Sequence, residues 1–367
     1  MEITGPIGTV LFEGAGAGVY PGAVLLVGHK GRIAFFQAAG NCSLIPRSEP
    51  MHNDTIFDLA SLTKPLGTTL AVMKLVDEGK IDLDQKLERL LSCDLPKDKR
   101  SITPRLLLCH CAGFADWKPF YLELDDVRPE KRKDILRKWI LELPPAYQAG
   151  KETLYSDLGF MVLEWLVEEK AGMPMHLFLD DHFYGPLGLE RTFLSINDSK
   201  AIFEEVDFAA TEDCRWRKKV VRGFVHDENA YSLGGYSGHS GLFGTAEDVF
   251  TLVNLLSMHF HGERSDYLRT ETVRSFFSRQ NIVNDSTWAL GWDTPSTEAS
   301  SAGQYFSAHS VGHLGFTGTS VWMDLEKDVI VVFLTNRVHP TRDNEKIKAF
   351  RPVLHDLIME ELGKASD

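Results

Sequence analysis

The chain has 367 residues, 43% hydrophobic and 25% charged, with a formal net charge of −13 and a pI near 5.5. This is soluble globular composition, and the length allows a large core in one long domain or two. The acidic balance and the lack of a strongly basic run exclude nucleic acid as an expected partner, and no apolar run reaches the length of a membrane span. Residues Met1–Pro6 show no basic n-region and no apolar h-region, so a cytoplasmic chain without a signal peptide is expected. The five cysteines, Cys42, Cys93, Cys109, Cys111 and Cys214, are odd in number and scattered. They read as packed thiols in a reducing compartment, not as a disulfide framework.

In chain order, the spacing predicts an amphipathic helix over residues 3–17, with Ile7, Val10, Leu11 and Phe12 inward, stopped by Tyr20-Pro21-Gly22. Residues 23–28 and 32–36 then form a hairpin around His29-Lys30-Gly31. Their near-continuous apolar content implies a sheet covered on both faces. Residues 41–55 read as loop. From Pro65 to Val283 the periodicity is mostly helical. A helix runs from Leu66 to Glu78 and ends at Gly79-Lys80, and Thr103 caps another that opens with Pro104. Residues 129–142 form a charged surface helix. Ser156–Ala171 and Pro174–Phe183 follow, split by Gly172, and Ala246–His259 comes after a glycine-rich loop. The tail returns to strands: a short one at Trp288–Trp292, then a hairpin of residues 320–324 and 329–334. A final helix is expected over 343–362. Strands at both ends and helices between them predict an α+β fold. Its antiparallel sheet is closed by the two termini, flanked by terminal helices, and interrupted by a large, mainly helical insertion.

The chemistry centres on Phe57-Asp58-Leu59-Ala60-Ser61-Leu62-Thr63-Lys64-Pro65. Ser61 is the only serine with a lysine three residues on. On a helix that spacing puts both side chains on one face. Pro65 is tolerated only in a first turn, so the helix should begin near Ser61, at the positive end of its dipole. A serine hydroxyl needs a base within reach and backbone donors for the oxyanion it creates. Lys64 can be the base if its pKa is lowered.

Two further stretches could complete a site. Tyr155-Ser156-Asp157 precedes a helix, where its phenol and carboxylate could face a cleft, or where Ser156 or Asp157 could simply cap the helix. Gly312-His313-Leu314-Gly315-Phe316-Thr317-Gly318-Thr319 is glycine-punctuated, so a substrate could approach its backbone, or it could be an ordinary strand entry. His110 reads as a structural histidine at a helix end. His226, Asp227 and His239 lack a metal-site spacing and read as braces at a rim. Gly234–Gly238 misses a nucleophile elbow, and there is no phosphate-binding G-K-S/T. Neither metal nor cofactor is expected.

Together these stretches resemble the order S-x-x-K, Y-x-N or S-D-N, and K-T-G. The chain resembles the serine β-lactamase-related hydrolases, in the branch of class C β-lactamases, DD-peptidases, D-amino-acid peptidases and family VIII esterases. The resemblance also covers Ile102–Gly113, Val225–Ala230 and Gly238–Phe243. It implies a β-lactamase/transpeptidase-like fold with a sheet region of residues 1–60 and 285–367, a helical region of residues 61–284, and the active site between them. It implies Ser61 as the acylated nucleophile, Lys64 as proton carrier and Tyr155 as general base, eased towards phenolate by two cationic neighbours. The backbone N–H groups of Ser61 and Phe316 would hold the oxyanion, and Asp157, His313, Gly315 and Thr317 would bind substrate.

Asp157 replaces the Asn of many relatives, and His313 replaces the Lys of β-lactamases. A histidine is only partly charged near neutrality. The expectation is therefore better handling of carboxylate-free esters, with activity on acidic substrates improving towards pH 6. The implied substrates are small esters, amides or β-lactams. A DD-peptidase or D-aminopeptidase, or a weakly catalytic penicillin-binding sensor, are the alternatives. The sequence leaves the oligomeric state open.

Overall fold

Strand Gly22–His29 carries apolar side chains on both faces, and the fold buries both. The computed structural model, which describes residues 5–197 and 203–366, places this strand near the centre of a six-stranded antiparallel sheet. In spatial order the strands are Glu49–Pro50, Arg32–Ser43, Gly22–His29, Val329–Thr335, Ser320–Asp324 and Ser310–Leu314. The N-terminal strand pairs directly with the C-terminal one, Leu25 opposite Phe333, so the two ends of the chain close the sheet.

Alternation along these strands sorts two apolar layers. Ala23, Leu25, Val27, Val331 and Phe333 face outward, against Ile7 and Leu11 of helix Gly5–Gly16 and Leu354, Ile358 and Leu362 of helix Ile347–Ser366. Val24, Leu26, Val332 and Leu334 face inward and join the large core of the intervening helices. Each fully buried Leu or Val in these layers contributes about 1.5–3 kcal/mol relative to exposure. No helix among the described residues is long and apolar enough to cross a membrane.

Several expectations need correcting. Residues 3 and 4 of the first expected helix lie outside the described residues, and Phe12 is exposed rather than inward. Residues 41–55 are not simply loop: the second strand runs on to Ser43, and Glu49–Pro50 pairs with it as a short edge. Trp288–Trp292 is no strand. It is a tight turn closed by a single bridge from Trp288 to Asp293, and Asp293 in turn bridges to Gly312. The expected caps are in place: Leu106 N–H donates to Thr103 Oγ1, and Gly172 ends its helix at φ 71°.

Candidate active site

The stretch around Ser61 does not open as a regular α-helix. Ala60–Leu62 is one tight 3-10 turn, Lys64–Thr69 is wound wider, and regular helix begins at Leu70. Pro65 has no N–H to give an α-helical ladder, which fits a widened turn at that point. Ala60, next to the nucleophile candidate, has φ +48°, a left-handed conformation that costs a non-glycine residue on the order of 1 kcal/mol.

What holds this turn is the buried Asp58 carboxylate, which accepts the N–H groups of Ala60 at 2.9 Å and His226 at 2.6 Å. From the other side, Thr317 donates its hydroxyl to the Asp58 carbonyl at 2.8 Å, and Thr319 donates to the Leu59 carbonyl at 3.1 Å. The connection of residues 315–319 between strands Ser310–Leu314 and Ser320–Asp324 thus presses against the Ser61 turn so closely that a Cβ on Gly315 would collide with Thr319 and with Leu59 O. Thr317, expected at the substrate, is buried and committed to this fastening; it borders neither cavity beside Ser61.

Lys64 Nζ lies 3.1 Å from Ser61 Oγ, 2.6 Å from Asp157 Oδ1 and 3.3 Å from the His239 carbonyl. The ammonium also lies 4.7 Å from the centre of the Tyr155 ring, and the phenol interacts with both Lys64 and Ser61. Ser156 caps the helix Asp157–Ala171 by accepting the Gly159 N–H, which leaves the Asp157 side chain free for Lys64.

Burial pulls the Lys64 pKa down, but the Asp157 carboxylate and the Tyr155 phenol outweigh it and the net shift is upward. Burial pushes the Tyr155 pKa up; Lys64 pulls it back only in part, and Asp157 adds to the rise. The resting pair near neutrality is therefore an ammonium and a neutral phenol. The lowered pKa that Lys64 would need to serve as the base is not found, and a phenolate eased by two cations does not hold either.

His313, which stands where β-lactamases have Lys, supplies no second cation beside Tyr155. Its ring is buried, with Nδ1 2.9 Å from the Leu314 carbonyl. Burial, reinforced by Lys64, pulls its pKa down to about 3. The expected charge change of His313 near pH 6 is thereby overturned. His110 braces Tyr155: their rings are 4.5 Å apart, and His110 Nδ1 accepts the Ser156 N–H at 3.0 Å.

Two cavities meet at Ser61, Tyr155 and Phe316. The one on the helical side, about 380 Å³, is bordered by Trp117, Asp157, His239 and Arg342. The one on the sheet side, about 360 Å³, is bordered by Trp288, Asp293, His313, Arg337 and Arg351. Phe316 is exposed between them, with His226 stacked at 5.6 Å and Arg337 4.7 Å from its ring centre. Asp227 caps helix Glu228–Ser232 and pairs with His239 Nε2 at 3.0 Å, so these groups tie loops together at the rim. Asp58, Trp288, Arg337 and Arg351 went unassigned at the sequence level. Asp58 lies inside the Ser61 stretch, and the others give no local signal: Trp288 comes from the turn before Asp293, Arg337 from the segment after strand Val329–Thr335 and Arg351 from helix Ile347–Ser366, so only the tertiary fold brings them to the cleft.

A family model described as Beta-lactamase matches residues 10–353. The chain is 32% identical over 361 residues to a Bacillus subtilis (strain 168) protein named N-acetylmuramyl-L-alanine amidase, covering 89% of this chain and 80% of that protein. It is 31% identical to an Escherichia coli (strain K12) protein named "Putative D-alanyl-D-alanine carboxypeptidase", covering 89% and 81%. Among solved structures, EstCE1, described as a hydrolase with promiscuous acyltransferase activity, matches with a TM-score of 0.71 at 22% identity, covering 94% of this chain and 97% of that one, a likeness of fold alone.

Proposed function

The chain belongs to the Beta-lactamase family and is a serine hydrolase, and we propose that it works by forming an acyl-enzyme on Ser61 and hydrolyses small esters or amides. The observation that carries this reading is the contact of Ser61 Oγ with Lys64 Nζ at 3.1 Å, on the wall of a cleft that also presents Tyr155. The cleft would lie at the seam between a sheet region, residues 1–60 and 285–367, and a helical region, residues 61–284.

In this reading the Ser61 proton passes to the Tyr155 oxygen as Oγ attacks the carbonyl carbon. The phenolate that accepts it is a minor species near neutrality, stabilised by the Lys64 ammonium. The backbone N–H groups of Ser61 and Phe316 hold the developing oxyanion. Tyr155 returns the proton to the leaving group, then takes one from the attacking water and passes it to Ser61 Oγ as the C–Oγ bond breaks and the acid is released. Asp157, His313 and Gly315 border the substrate. Because the base form is scarce at neutral pH, kcat/KM should rise with pH through neutrality.

Asp157→Asn tests this proton balance. The carboxylate raises both pKa values, so removing it lowers both, and the acid limb of kcat/KM should move to lower pH. The variant should also be less stable. Lys64 has a raised folded pKa, so the ion pair contributes its stability below the unfolded lysine value of about 10.4, and that contribution fades as pH rises through the folded value. At pH 7 the loss should be on the order of 1–3 kcal/mol, since an amide oxygen still faces the buried ammonium. An unmoved limb would assign it to another group.

A panel of a neutral ester, a D-amino-acid amide and a cephalosporin, each followed by intact mass, tests the reading as a whole. Transient adducts with turnover of the ester or amide are expected. The relative named as an amidase favours retaining the amide. Adducts that never turn over would instead indicate a penicillin-binding sensor.

A further inference from the structure

Phe316 lies exposed in the turn of residues 315–319 and borders both cavities together with Ser61 and Tyr155. Its N–H makes no hydrogen bond among the described residues. Glycines stand on either side of it, Gly315 just before and Gly318, at φ 102°, two residues after. A turn of this composition has little stiffness of its own. Yet a donor that meets a charge developing at one point must be held there beforehand.

Thr317 and Thr319 fasten the turn on the Ser61 side, and Arg337 grips it from the other. Arg337 Nε and Nη2 both donate to the Phe316 carbonyl, at 2.9 and 2.6 Å. The same guanidinium lies 4.7 Å from the centre of the Phe316 ring. Its Nη1 donates to the carbonyls of Arg342 and Asn344, each at 2.8 Å, so every nitrogen of the group is committed to backbone. Charge-assisted bonds from a planar fork are stronger and more directional than neutral ones. The stem of Arg337 packs on Gly318, where an added Cβ would come within 2.5 Å of Arg337 Cγ. The base of the side chain is fixed too. Its neighbour Asn336 accepts the Gly22 N–H at 2.9 Å and donates to the Cys42 carbonyl at 3.0 Å, which anchors the end of strand Val329–Thr335.

These contacts fix the peptide planes on both sides of the Phe316 Cα. The Gly315 carbonyl shares a plane with the Phe316 N–H and accepts the Gly318 N–H at 3.0 Å. Arg337 holds the next plane through the Phe316 carbonyl. With both planes held, the direction of the N–H is set. We propose that Arg337 is a positioning residue for the oxyanion: by gripping the Phe316 carbonyl it aims the Phe316 N–H at the oxygen that becomes negative as Ser61 attacks. The inference rests on the reading of Ser61 as nucleophile and Phe316 as oxyanion donor, and adds the residue that holds the donor in place.

The test compares a 4-nitrophenyl ester with its thiono analogue, in which C=S replaces C=O. Sulfur is larger and accepts hydrogen bonds more weakly than oxygen, so a well-placed N–H favours the oxo ester in the transition state. The ratio of the two kcat values should be well above one in the wild type. In Arg337→Met it should fall on the order of tenfold or more, while KM for the oxo ester moves by less than about threefold. Arg337→Lys supplies a point charge without the fork and should recover part of the ratio. Loss of folded protein lowers both rates alike and leaves the ratio where it was, so a merely structural role does not imitate the effect. Where Arg337→Met does not fold, Arg337→Lys carries the same comparison, with an intermediate ratio expected. Phe316→Ala is the control. It removes the ring but keeps the carbonyl and the N–H, so its ratio should stay near that of the wild type.

A ratio unchanged in both Arg337 variants, or one that falls only in Phe316→Ala, would overturn the proposal and leave Arg337 as a strut for the loop of residues 342–344. Failure of a fluorophosphonate to label Ser61 in the wild type would instead remove the nucleophile reading. Normal labelling with an unmoved ratio would reject the role of Arg337 alone.

Discussion

Ser61→Ala should abolish covalent labelling by a fluorophosphonate and lower ester turnover on the order of 10⁴-fold or more, the scale on which removing a nucleophile acts. The physical ground is local. The hydroxyl lies 3.1 Å from the Lys64 ammonium and is the one serine oxygen bordering both cavities. The turn that presents it is held by Asp58, Thr317 and Thr319, none of which bonds to the Ser61 hydroxyl. Its loss should therefore leave the melting temperature nearly unchanged, which separates a chemical effect from an unfolded one. Persistent labelling of the variant, or turnover within tenfold of the wild type, would place the nucleophile elsewhere.

Tyr155→Phe should reduce turnover on the order of 10²-fold or more, the usual contribution of a general base. The substitution keeps the ring, which packs 4.5 Å from His110 and 5.8 Å from Trp288. It removes only the oxygen that meets Lys64 and Ser61. The Tyr155 pKa is raised, so the resting phenol is neutral, and the residue is 37% exposed in the cleft; the variant forfeits no ionised group and little burial, and stability should hardly move. The pH–rate profile gives the sharper readout. The wild type should gain activity as pH rises through neutrality, and the variant should lose that dependence along with its rate. Near-normal turnover would move the base role to Lys64 alone.

The parts of this site that are legible in the sequence are those fixed by local spacing. Ser61 and Lys64 are three residues apart, and the turn that joins them is short, so their meeting follows from almost any helical winding. Tyr155 and Asp157 lie at a helix mouth signalled by a Ser cap, and the structure brings both to Lys64. The central strands were legible because a run buried on both faces leaves few polar positions. What the sequence could not carry is whatever depends on distant burial. The pKa of His313 hinges on its enclosure and on Lys64, 249 positions earlier in the numbering of the chain. Thr317 reads as a substrate contact from its place in a glycine-punctuated stretch, yet the turn between strands Ser310–Leu314 and Ser320–Asp324 aims it at the Asp58 carbonyl. Residues 288–292 have the apolar content of a strand but bend back after four residues, so that Asp293 can bridge to Gly312. Arg351 reads on a sequence as one more charge on a surface helix. Only the packing of that helix against the sheet shows it buried.

The most direct test of the account is rapid acid quenching of the wild-type protein during turnover of a 4-nitrophenyl ester, followed by digestion and peptide mass mapping. The account predicts that the acyl mass appears on the peptide containing Ser61 and disappears as substrate is exhausted. An acyl group on any other residue, or steady turnover with no covalent intermediate at any quench time and pH, would contradict it.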